Sequence, residues 1–265
     1  MTGVGNLFDD GAEHFERLAP VLWNTMGNVL VAAADLHLGH RVLDACCGSG
    51  SGTIPAAQEV GPEGRVDAVD LSVELLALAE AKAAALDLSS INFVNADAST
   101  WTSGEPYDAV LCGYGLFFLP DMAAGAVHLA SQLRSGGKLA VSTWQEHAHE
   151  PFASLLREVC FEEQPQLREA AVPKPTRQMA EVASAEKLHA FLTTVGFESI
   201  EVHETPLQVP LDAELAWTLV LGTGYRFMLP SDPDGRERVR TRFLESLGQD
   251  MTLNADSLIA VATRS

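Results

Sequence analysis

The sequence predicts an α/β fold built on a parallel sheet, and three observations carry that prediction. Short apolar runs alternate with helical stretches from Arg41 to Trp144, a spacing that makes parallel strands joined by right-handed crossovers. A glycine-rich segment, Gly48-Ser49-Gly50-Ser51-Gly52, lies between the first strand and the helix that follows it. An aspartate stands at or just after the end of each of the first three strands, at Asp44, Asp70 and Asp97.

The elements follow in order. Residues 6–38 carry amphipathic helical patterning, with Phe8, Phe15, Leu18, Leu22 and Trp23. Arg41–Ala45 is a strand, Ser51–Val60 a helix, and GPEG at 61–64 a turn. Arg65–Asp70 is the second strand, and Ser72 caps a helix that aligns Leu75, Leu76, Ala79 and Ala83. Ile91–Val94 and Tyr107–Cys112 are the third and fourth strands. Asp121–Leu133 is helical, Arg134–Gly137 stops it, and Lys138–Thr143 is the fifth strand. Residues 150–195 are helical with a break at 172–176, and Ile200–Val209 is a strand. Residues 213–247 are helical with a break at 229–235, and Leu258–Thr263 is the last strand.

A chain of 265 residues can bury a full core without disulfides or metals. Its 17 Lys+Arg against 36 Asp+Glu give a net charge of −19, which repels phosphate backbones and anionic lipid and so argues against nucleic acid or a membrane surface as partner. Four cysteines, two of them adjacent at Cys46 and Cys47, are no disulfide scaffold. No signal peptide or spanning segment is expected, and the cytoplasm is the expected location. No Cys/His spacing suits zinc, so no metal ligand is named, and whether a general base or a metal assists is left open.

The glycine loop selects among cofactors. A dinucleotide fingerprint needs G-x-G-x-x-G, and counting from Gly48 and Gly50 the third glycine falls on Thr53. Asp44, just before the loop, would repel a pyrophosphate. It suits S-adenosylmethionine, whose sulfonium and α-ammonium are both cations and whose carboxylate can rest on backbone N–H groups from about Ser49 to Ser51. Asp70 can accept the ribose hydroxyls. Asp97 can accept from the adenine amino group, with Leu71 and Ala98 flanking the ring.

These segments resemble those of class I S-adenosylmethionine-dependent methyltransferases: VLDACCGSG the first motif, Asp70 in VDAVD the second-strand acid, Asp97 in NAD the adenine-side acid, and YDAVLCGYGLFFLPD and LRSGGKLAVSTW the fourth- and fifth-strand motifs. The chain is similar to the ubiquinone/menaquinone and bacterial natural-product small-molecule methyltransferases. Cys46 stands where the family motif begins with glycine, and Phe117 and Phe118 stand where relatives often have histidines.

The resemblance implies a Rossmann-like sheet of seven strands in the order 3-2-1-4-5-7-6, strand 7 antiparallel, with helical caps. It implies one domain over 1–265: cap helices at 6–38, a cofactor-binding core at 41–144, a helical insert at 145–195, and C-terminal strands with substrate-side helices at 196–265. The implied cofactor residues are Asp44, Ala45, Cys46, Gly48, Ser49, Gly50, Asp70, Leu71, Asp97, Ala98 and Cys112. The implied activity is methylation at O, N or C of a small, largely apolar or aromatic metabolite, with S-adenosylhomocysteine as the other product. The alternative is a protein of this fold that binds the cofactor without methylating.

Aromatic residues supply the candidate acceptor walls: Phe15, Trp23, Tyr114, Phe117, Trp144, Trp217 and Tyr225, with Phe152 and Phe227 beside them. Tyr114, His147 and His14 are the candidate catalytic groups, and His149 is a further possible base; nothing in the sequence chooses one. The acceptor's identity and the oligomeric state are left open.

Overall fold

A computed structural model describes residues 2–248 and 251–264. The strands are β1 (Arg41–Ala45), β2 (Arg65–Asp70), β3 (Ile91–Asn95), β4 (Tyr107–Gly113), β5 (Leu133–Trp144), β6 (Phe197–Thr205), β7 (Gln208–Leu211), β8 (Met251–Asn254) and β9 (Ser257–Arg264). The helices are α1 (Thr2–Arg17), α2 (Asn24–Ala34), α3 (Thr53–Val60), α4 (Val73–Ala85), α5 (Met122–Gln132), α6 (Phe152–Glu163), α7 (Lys174–Ala180), α8 (Ala185–Thr194), α9 (Ala213–Gly222) and α10 (Pro233–Leu247). A π-helical stretch, Ala19–Trp23, joins α1 to α2.

Seven strands form one sheet in the order β3-β2-β1-β4-β5-β9-β6. β9 runs antiparallel between β5 and β6, and the pairings among β1 to β5 are parallel. The expected strand order is borne out, with β9 as the sheet's seventh strand. The inner strands are apolar on both faces, as a parallel sheet covered by helices requires. Their side chains alternate between two cores. Leu43, Val110 and Val141 enter the larger one, while Val42, Leu111 and Ala140 meet α2 and α3 on the other side.

Helix starts follow the capping rule. Ser72 accepts from the Leu75 N–H, Asp121 from Ala124, Ser184 from Lys187, Asp212 from Leu215 and Asp232 from Gly235.

Three local expectations are corrected. The strand expected at 200–209 is two strands in two sheets. Pro206 has no N–H to continue the ladder with β9, so β6 ends at Thr205. The chain then turns on Leu207, which donates to Asp256 Oδ1 and accepts from the Ala255 N–H, and β7 pairs with β8 as a separate ribbon. Arg134–Gly137 is part of β5 and not a stop, because the ladder bulges opposite Tyr107 and Ala109 and absorbs Gly136 at φ +74°. The break at 172–176 is displaced: α7 already starts at Lys174, with Pro175 in the first turn where proline costs no hydrogen bond.

Close backbone approach sets the cover over the sheet's carboxyl edge. Gly11 of α1 meets the Leu221 carbonyl of α9, and Gly222 meets the backbone of His14 and Phe15, so α1 and α9 cross almost in contact. Gly27 of α2 packs against the glycine loop itself; a Cβ there would overlap the Ser51 carbonyl oxygen. Gly27→Ala should therefore destabilise the protein by about 1–3 kcal/mol, the usual cost of overpacking, in urea denaturation monitored by circular dichroism. A stability equal to wild type would contradict the contact.

Candidate active site

The loop after β1 is held in the left-handed region at Cys46 (φ 61°), Gly48 (φ 53°) and Gly50 (φ 86°). Glycine accepts that geometry freely, whereas cysteine does so at a cost. Cys46 is packed so closely against Gly115 that a Cβ on Gly115 would lie 2.5 Å from the Cys46 Cβ and 3.1 Å from the Cys112 Sγ. Gly50 turns its open side to α4, with Ala79 Cβ 3.0 Å from where its own Cβ would stand.

Asp70 ties the loop to the next helix. Its Oδ2 accepts from the Gly48 N–H at 2.8 Å and its Oδ1 from the Ser72 N–H at 2.8 Å. Burial pushes its carboxyl above the usual range, against these backbone donors. Asp44 is 2% exposed and accepts from Thr53 Oγ1 at 2.6 Å. Desolvation pushes it up to about 7, with the Thr53 hydrogen bond opposing and the Asp70 charge adding.

Asp97 uses one oxygen only. Its Oδ1 accepts from the Ser99 N–H and Oγ, while its Oδ2 is buried without a partner. The Ser49 Oγ on the loop is likewise buried and unpartnered. Asn95 bridges the two strand ends by donating to the Asp70 and Leu71 carbonyls. Leu71 is exposed and Ala98 is buried.

Asp44, Cys46, Gly48, Phe15, Trp23 and Tyr114 line one crevice of about 60 Å³, and Ser49 joins them. Small-molecule sites run to about 300–1,000 Å³, so a nucleoside-sized ligand fits only if the covering side chains withdraw. Phe15 is the nearest cover. It stacks on Trp23 at 4.8 Å, and a Cβ on Gly48 would meet its ring at 3.4 Å. Its helix α1 is pinned to α4 by the Lys82–Glu16 pair and by Asp9, which accepts from Ser72 Oγ and the Glu74 N–H.

Ala45 and Cys112 are fully buried below the loop. Tyr114, itself at φ 53°, donates its N–H to Ser142 and pairs its hydroxyl with Ser257 Oγ at 2.7 Å. Trp144 stacks on it at 4.2 Å, and His149 lies against Trp144 at 4.3 Å. Tyr225 hydrogen-bonds the His149 Nδ1 at 2.9 Å and packs on Phe152.

Other candidates lie elsewhere. Phe117 is buried against Phe118, and Trp217 packs into the core from α9; neither lines the crevice. Phe227 is 55% exposed and His147 points to the surface. His14 sits partly buried on α1, held below its ordinary pKa by burial and by Arg17 and Arg226. Sequence reasoning missed Met26, Gly27, Leu30 and Ser142 in the crevice wall; only a glycine in the middle of a helical pattern, at Gly27, signalled a close approach. Among the described residues no group of three His, Cys, Asp or Glu is placed to hold a metal ion, and no helix is long and apolar enough to cross a membrane.

Residues 42–137 match a protein family described as a methyltransferase domain. The chain is 32% identical over 143 residues to aklanonic acid methyltransferase DauC of Streptomyces sp. (strain C5), which covers 53% of this chain and 64% of that protein. Across the first curated relatives it matches, the aligned segment spans only 42% to 64% of their length. Among solved structures, magnesium protoporphyrin IX methyltransferase (ChlM) of Synechocystis PCC 6803 superposes with a TM-score of 0.56 at 19% identity, covering 100% of this chain and 96% of that one. The [4+2]-cyclase SpnF superposes with a TM-score of 0.62 at 17% identity, covering 98% and 95%. Residues 42–137 thus match a methyltransferase-domain family, and the chain has the fold of the methyltransferase and cyclase structures on which it superposes.

Proposed function

We propose that the protein transfers a methyl group from S-adenosylmethionine to a small, largely apolar or aromatic metabolite. The observation that carries the reading is a left-handed glycine loop clamped by the Asp70 carboxylate and walled by Asp44, with Asp97 after the next strand keeping one buried oxygen that no described residue satisfies. A buried acceptor without a donor costs about 1–3 kcal/mol, and a ligand amino group at Asp97 Oδ2 would remove that cost. The bare backbone of Gly48, over which the Phe15 ring lies, is the second feature that fits a nucleoside.

On this reading Asp97 takes the adenine amino group and Asp70 the ribose hydroxyls. Asp44 faces the cationic methionine end, and the loop around Ser49 offers N–H groups to its carboxylate. When bound, the cofactor supplies an electrophilic methyl group on a sulfonium. The residues contribute position and dryness. Phe15, Trp23 and Tyr114 wall the crevice and exclude water, and holding the reacting groups close and collinear supplies most of the acceleration. The acidic surface argues against nucleic acid as acceptor. The four unpaired cysteines suit a reducing cytoplasm.

A second reading, cofactor binding without methylation, is favoured by one observation: Cys46 is strained into a backbone geometry natural to glycine. Incubation with S-adenosylmethionine and a panel of aromatic metabolites separates the two, since only the first produces an acceptor that has gained a methyl group.

Asp70→Ala should weaken S-adenosylhomocysteine binding by at least about 100-fold in calorimetric titration, through lost ribose contacts and a released loop, with the circular dichroism spectrum retained. Unchanged affinity would remove Asp70 from the site. Asp44 adds a pH dependence. Its pKa is raised to about 7, so it is protonated in the free protein at pH 6, and a cationic ligand favours its ionised form. S-adenosylmethionine affinity should therefore rise between pH 6 and 7.5, by about three- to tenfold, and Asp44→Asn should flatten the profile. A wild-type affinity that is level or falls over that interval would contradict the placement.

A further inference from the structure

The aromatic run that begins at the crevice ends on a histidine with an unused nitrogen. His149 is only 9% exposed, its Nδ1 is engaged by Tyr225 Oη at 2.9 Å, and its Nε2 is buried with no partner. Buried polar atoms are nearly always satisfied, and an exception in a folded protein marks a place where a ligand or water belongs. The backbone repeats the point. Tyr114, just after β4, and His147 and His149, in the turn that follows β5, all stand at positive φ (53°, 67° and 68°), and strain in non-glycine residues gathers at functional sites. The His149 main chain is fastened in that conformation, its N–H donating to the Asn254 carbonyl at 2.7 Å and its carbonyl accepting from Ala153 at 2.9 Å.

We propose that His149, oriented by Tyr225, is the polar end of the acceptor site, and that it selects acceptors carrying a hydroxyl on an aromatic ring. The inference rests on the methyltransferase reading for the word acceptor, but not for the ligand class. Trp144 connects the crevice to this end, since its ring contacts both Tyr114, which lines the crevice, and His149, and an acceptor ring reaching Nε2 would pass along it. Burial holds the imidazole down at about 4, so it is neutral at working pH. A neutral imidazole bonded to Tyr225 presents at Nε2 either a lone pair or an N–H, according to which partner donates at Nδ1. A hydroxyl can donate to the one or accept from the other, so it satisfies Nε2 in both tautomers. A ring bearing only apolar groups leaves the nitrogen unpaired. His147, two residues earlier, is exposed and offers no such end.

The test uses the full chain saturated with S-adenosylhomocysteine, titrated with 2-naphthol and with 2-methylnaphthalene, which has nearly the same shape and no hydroxyl. Wild type should bind 2-naphthol about tenfold more tightly or better. His149→Phe should bring the two ligands to within about threefold of each other and leave S-adenosylhomocysteine affinity unchanged. Tyr225→Phe, which keeps the histidine, should lose part of the preference and serves as the second variant should His149→Phe fail to fold. In the wild type, the ¹⁵N resonance of His149 Nε2 should shift with 2-naphthol and not with 2-methylnaphthalene. Equal affinities in wild type, no binding of 2-naphthol, or a preference that survives in His149→Phe would each overturn the proposal. If S-adenosylhomocysteine does not bind, the methyltransferase reading fails instead, and the same pair of titrations on the free protein still decides whether His149 selects hydroxylated rings.

Discussion

The Asp70 carboxylate bridging the Gly48 and Ser72 amides is the contact on which the rest of the site depends. One buried side chain at the end of β2 fixes both the loop that follows β1 and the start of α4. A charge-assisted hydrogen bond to a backbone amide is roughly twice as strong as a neutral one. Burial raises the energetic consequence of leaving either group unpaired. The left-handed turns at Cys46, Gly48 and Gly50 hold their shape because this clamp closes the loop from one side and Gly27 of α2 presses on it from the other. With the loop fixed, the carboxyl ends of β1, β4 and β5 face one crevice.

The cover over that crevice has a different character. α1 meets α9 through glycines and meets α4 through the Lys82–Glu16 pair and the Asp9 carboxylate at a helix start, while Leu18 and Leu22 after it share the main core with Leu219 of α9. Partly exposed pairs of this kind contribute little each. The sheet is the floor of the crevice, and α1 with the π-helical joint is the cover that carries Phe15 and Trp23. A crevice of about 60 Å³ beneath this cover is smaller than a nucleoside needs, so Phe15 is the side chain that must move for one to enter.

Much of this was readable in the sequence, for physical reasons that differ along the chain. β1 and β2 were read with their observed bounds, and β3 and β4 to within one residue, because buried parallel strands are continuous apolar runs flanked by turn residues. Asp44, Asp70 and the glycine loop were readable because their chemistry is local to one strand–loop–helix unit. What depends on distant partners was not. The end of β6 at Pro206 has meaning only beside β9, and the β7–β8 ribbon pairs residues far apart in the chain. Arg134–Gly137 looked like a turn because a bulge uses the same glycines. Gly27 signals a close approach without saying to what. Tyr225 reaches His149 across 76 residues, a relation no local pattern carries.

A crystal structure of the protein with S-adenosylhomocysteine decides whether this crevice is the cofactor site. The ribose hydroxyls should lie on the Asp70 carboxylate and the adenine amino group on Asp97 Oδ2, with Phe15 displaced from above Gly48. A ligand bound away from the ends of β1, β2 and β3, or bound there with Asp97 Oδ2 still unpaired, would contradict it.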